Sequence, residues 1–96
     1  MAAISEKTAR DVYALRCAAE SVMGDRSSDF EERSKVFKEL TSLAYDTIKA
    51  DSPAYSTDIM SVFILAAVNG RTRKDVVDAL RALGCIKEED DAGAED

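Results

Sequence analysis

Apolar positions recur every three or four residues in four separate stretches of this chain, and each stretch stops at a residue that ends helices. In the first, Val12, Leu15, Ala19 and Val22 form one stripe that Ala9, Tyr13, Cys17 and Ala18 widen. That spacing matches the 3.6-residue helical turn. Ser5 stands before it as an N-cap and Gly24 after it, which predicts a helix from about Glu6 to Met23. The second stretch has Phe30, Phe37, Leu40, Ala44 and Ile48 on its main face, with Val36, Leu43 and Tyr45 beside them. Its opposite face carries Glu32, Lys35, Lys38, Glu39 and Asp46. A capping box at Ser28 and Glu31 starts this helix, which is expected to reach about Lys49.

Asp51-Ser52-Pro53 breaks the pattern, because the residue before proline is pushed out of the helical region. The third helix is expected to begin after Ser56 or Thr57. From Ile59 to Val68 it is apolar on every side apart from Ser61, so it is either wrapped by the other helices or covered by a second subunit. After Asn69-Gly70-Arg71, Thr72 and Asp75 form a second cap. Val76, Val77, Leu80 and Leu83 then face inward, and Gly84 ends the helix, with Cys85-Ile86 folding back over its last turn. The expectation is an all-α fold: a compact four-helix domain over residues 1–86, then an acidic disordered tail over residues 87–96.

Charge changes the picture once it is located. The tail holds six acidic groups and one lysine, so the remaining body carries only −1 of the total −6. A near-neutral body argues against a nucleic-acid surface, which is usually strongly basic. The longest apolar run is ten residues, against about 20 for a bilayer crossing, so no membrane segment is expected. With no basic-then-apolar leader at the N-terminus, the expected location is cytoplasmic. Cys17 and Cys85 match no zinc or redox spacing and read as reduced, half-buried small hydrophobes.

Candidate chemistry is sparse. The chain has no histidine, no phosphate-loop glycine motif and no carboxylate pair on an apolar face. A non-enzymatic protein without metal or cofactor is expected. Two features remain. Arg71, Arg73 and Lys74 crowd the start of the fourth helix, where the dipole disfavours cations but free amides attract anions. Residues 58–84 also have the outline of a helix-turn-helix. The plainer reading pairs Arg71 with Asp75 and Lys74 with Asp78 along a wet face.

The second feature is surplus apolar surface on the first and third helices. It makes Val12, Leu15, Ala19, Met60 and Phe63 candidates for an oligomer interface, with Tyr45 and Tyr55 as partner anchors at the joint of helices two and three. The expected function is protein binding of an inhibitory or adaptor kind, with another protein as target and homodimerisation. The alternative is a DNA-binding transcriptional regulator built on residues 58–84.

Overall fold

Short-range capping chemistry sets most of the helix boundaries in the computed structural model, which describes residues 3–70 and 72–87. The elements are α1 (Glu6–Gly24), α2 (Phe30–Asp51), a 3-10 turn (Pro53–Tyr55), α3 (Ser56–Asn69) and α4 (Arg73–Ala82). The all-α expectation holds: no strand forms among the described residues, and their one β-feature is an isolated parallel bridge between Ile4 and Ile86. Ser5 caps α1 by accepting from the Thr8 amide at 3.1 Å, and Thr72 caps α4 by accepting from the Asp75 amide at 3.1 Å. The expected cap of α2 moves by one residue. Asp29, not Ser28, accepts from the Glu32 amide at 2.8 Å. An ionised carboxylate is the stronger acceptor at the positive end of a helix.

The glycines end helices by three different means. Gly84 (φ 78°) takes the left-handed conformation. Its amide donates to Arg81 O at 3.0 Å and that of Cys85 to Leu80 O at 2.8 Å, the paired bonds of a Schellman motif. Gly70 is extended, and its lack of a side chain serves a close approach. A Cβ there would lie 3.0 Å from Val76 Cγ2 and 3.1 Å from Ala66 O. Gly24 is the last residue of α1 rather than the one beyond it. The end of that helix is closed from the neighbouring one: Arg33 donates from Nη1 to Met23 O at 2.7 Å and from Nε to Ser28 O at 3.2 Å.

The five-residue link 25–29 makes α1 and α2 an antiparallel hairpin. Against it α3 packs on α2, and α4 packs on α3 and α1. The most deeply buried large side chains are Phe63, Ile4, Ile48, Ile59, Leu80, Val12 and Val76. Residues from both ends of the described chain close this core. Ile4 N–H donates to Cys85 O and Lys87 N–H donates to Ile4 O, each at 2.8 Å. Asp51 pins the same junction, accepting from the Ser5 amide at 2.7 Å and from Lys87 Nζ at 2.6 Å. Lys87, assigned to the acidic tail on composition, therefore belongs to the body. Residues 88–96, on which the disorder expectation falls, lie outside the described residues.

Several expected core positions are corrected. The other helices do not wrap α3: Ile64, Leu65 and Val68 are 41%, 65% and 67% exposed. Phe30 is 64% exposed and carries the Arg33 guanidinium over its ring at 5.6 Å, and Leu83 also lies at the surface. Cys17 is exposed and Cys85 buried, both as free thiols, and burial pushes the Cys85 thiol pKa up. No helix among the described residues is long and apolar enough to cross a membrane.

Candidate functional site: an apolar cleft between three helices

Alanines at the α1–α2 contact leave room that larger side chains would fill. Ala19 and Ala44 are both buried, and beside them opens a cleft with a cavity volume of 210 Å³ between α1, α2 and α3. Val12 and Phe63 form its floor and are almost inaccessible. Leu15, Phe37, Leu40, Met60 and Ile64 form its walls. The rim carries Thr41 and one ion pair, Arg16 to Glu20 at 2.9 Å. This pair spans one helical turn and cancels its own charge, leaving an apolar, electrically neutral opening.

All five residues expected at an interface, Val12, Leu15, Ala19, Met60 and Phe63, line this one cleft. Their exposure differs from one to the next. Val12, Ala19 and Phe63 are core residues at its base, while Leu15 and Met60 are half-buried along its sides. The exposed apolar surface beside the cleft is a ridge on the outer side of α3. Ile64, Leu65 and Val68 fall within about one-third of a helical turn of one another. Between Ile59 and Asn69 this helix has no charged residue, the sequence signal that foretold the ridge without fixing its side.

Tyr45 and Tyr55 both reach the α2–α3 joint but behave differently. Tyr45 is half-buried, and its hydroxyl shares hydrogen bonds with Ser56 Oγ at 3.1 Å and Thr57 Oγ1 at 3.2 Å. Those bonds, Ser56 foremost, pull its phenol pKa below the ordinary value. Tyr45 thus fastens the joint, whereas Tyr55 is 42% exposed.

The cationic turn lies elsewhere, along α1 and α4. Arg73 and Lys74 join Arg10 and Arg81 around a shallow groove that also holds Glu6 and Asp78. Lys74 pairs with Asp78 at 2.7 Å, while Glu6 takes Arg10 at 2.9 Å and Arg81 at 2.7 Å. Hydrogen bonds from Arg10 and then Arg81 hold the Glu6 carboxyl below its ordinary pKa, and Lys74 does the same for Asp78. Arg73 makes no ion pair with any described residue, and Arg71 lies outside the described residues. No group of three or more metal-ligating side chains occurs among the described residues.

Compared with protein-family models, curated proteins and solved structures, the chain matches none, so the geometry alone carries the functional argument.

Proposed function

We propose that this chain is a small, non-enzymatic, cytoplasmic protein-binding module of the inhibitor or adaptor type. Its cleft between α1, α2 and α3 receives an apolar segment of a partner protein. The observation that carries this reading is the pairing of that cleft with the adjoining ridge of Ile64, Leu65 and Val68, exposed on a helix without a charge from Ile59 onward. Burying a side chain of this kind gains about 1.5–3 kcal/mol when it was fully exposed, so Leu65 and Val68, about two-thirds exposed, each offer roughly 1–2 kcal/mol. An amphipathic helix laid in such a groove is a recurrent mode of recognition. Two free thiols, one of them exposed, suit a reducing compartment.

DNA binding through α4 is the second reading, and Arg73, which pairs with no described residue, is what favours it. The carboxylates of Glu6 and Asp78 beside the cations weigh against it, since each repels a phosphate. A photo-crosslinking amino acid placed at exposed Thr41, on the cleft rim, separates the two when compared with the same label at Asp46 on another side of α2. Discrete protein adducts from Thr41 alone, in cells expressing the chain, support the cleft. No adduct, or equal adducts from both sites, overturns it. The expected mobility-shift result is no DNA binding at low salt. Wild-type binding that disappears in the Arg73→Ala/Lys74→Ala variant establishes the α4 reading instead.

A further inference from the structure

We infer that the acidic segment following Lys87, residues 88–96, folds back over the groove between α1 and α4 of its own chain and is held there by the cations that line it. This is independent of what the cleft receives. The first ground is where the charge sits. Residues 1–70 hold eight cations against eleven carboxylates, residues 71–87 five against two, and residues 88–96 none against six. With Lys87 counted in it the body is neutral, its positive excess is gathered around α4, and the whole −6 follows directly after. The groove brings that excess to the surface: Arg10, Arg73, Lys74 and Arg81 line it, with Glu6 and Asp78 as its carboxylates. Both carboxylates are engaged, Glu6 by Arg10 and Arg81 and Asp78 by Lys74. Asp75, the other acid of α4, lies on the α3 side of the helix. The groove beside the start of α2 has no such excess, since Glu32 and Glu39 there match Arg33 and Lys35.

The second ground is the path of the chain. Lys87 N–H donates to Ile4 O at 2.8 Å, and the bridge it extends between Ile4 and Ile86 is parallel. The chain leaving Lys87 therefore runs in the direction of the chain entering α1. Glu6, on which Arg10 and Arg81 converge, stands two residues after Ile4. From Arg81 to Arg73 the groove follows α4 for about 12 Å. Nine residues span up to about 30 Å when extended, so the segment starts beside the groove and is long enough to lie along it. A sequence tethered so close is present at roughly millimolar effective concentration, and ion pairs too weak to hold a free peptide then suffice.

Paramagnetic relaxation in the full chain tests this. A nitroxide is attached at Ala94→Cys, with Cys17→Ser removing the exposed native thiol and Cys85 buried. It should at least halve the amide signals of Arg73, Lys74 and Val77 and spare that of Val36, toward the far end of the hairpin. Raising the salt from about 0.05 M to about 1 M should restore them, since charges then act over only about 3 Å. Arg73→Glu/Lys74→Glu should restore the Val77 signal even at low salt. That variant should keep the wild-type circular dichroism and melting temperature or melt slightly higher, because both side chains are exposed and acidic groups suit the start of a helix. Groove signals no weaker than that of Val36 overturn the inference, as does a loss that the charge reversal leaves in place. So does an equal loss when nitroxide and isotope are on different copies, because a neighbour's segment then fills the groove.

Discussion

The two ends of the α1–α2 hairpin carry similar apolar patterns and have different fates. At the end holding Ala9, Val12, Ala44 and Ile48, α3, α4 and the Ile4–Ile86 bridge add a further layer, and these four side chains are buried. At the other end α3 borders the hairpin only along the cleft, beside Phe37 and Leu40, and no residue from Glu20 to Leu43 is fully buried. Phe30 and Phe63 make the contrast plain, being 64% and 1% exposed. A helical period identifies the face that turns toward a neighbour. It cannot say how many neighbours there are.

The comparison is tested most strongly by emptying each aromatic site. Phe63→Ala should cost about 3–5 kcal/mol, as removal of a fully packed ring usually does. Phe30→Ala should stay within about 0.5 kcal/mol, the usual range for surface changes. Chemical denaturation of the two variants measures this, and equal losses would mean that the far end of the hairpin is covered after all.

A smaller effect is expected at the junction that closes the packed end. Asp51→Ala removes the acceptor of the Ser5 amide and the partner of Lys87, at a cost of about 1–3 kcal/mol for leaving a part-buried donor unmet. Burial opposes ionisation of Asp51, but the Lys87 ammonium, the Ser5 amide and the Thr8 hydroxyl outweigh it and hold the carboxyl below its ordinary 3.8. The folded value is depressed, so the contribution is fully present above the ordinary value and is lost as pH falls below it through the folded one. Thermal melts between pH 6 and pH 2 should therefore show a shallower acid limb for Asp51→Asn than for wild type. An identical limb would mean that this carboxylate is not what ties the ends together.

The smallest effects separate two helix ends. Gly84→Ala forces a side chain into the left-handed region and should cost about 1–2 kcal/mol. Gly24→Ala meets nothing within 4 Å and is helical, so it should be neutral or stabilising by up to about 1 kcal/mol. Melting temperatures moving the same way would refute the distinction drawn between the two glycines.

What the sequence disclosed follows the range of each interaction. The caps at Ser5 and Thr72 and the Gly84 motif span three to five residues, and each was legible because donor and acceptor are near neighbours in the chain. The one-residue shift from Ser28 to Asp29 shows the limit of that legibility where two adjacent residues can both accept. The Asp51 junction, the Arg33 closure of α1 and the Ile4–Ile86 bridge join distant segments and leave no periodic trace. For the cleft, the apolar stretch of α3 announced surplus surface. Which side of that helix stays uncovered depended on how α4 packs, so the exposure of Leu65 and Val68 was not legible, nor was the burial of Phe63 and Val12 at the base of the cleft.

The parallel bridge also decides how the molecule would carry a mechanical load. Ile4 and Ile86 run in the same direction, so tension applied through the segments before Ala3 and after Lys87 slides the two past each other. Both backbone bonds and the Lys87–Asp51 contact then have to yield together, instead of opening one after another like a zip. The helices are shielded from the pull until that latch gives way. How long the molecule withstands a steady force is then set by the rate at which this small shear junction breaks, more than by the stability of the helices behind it.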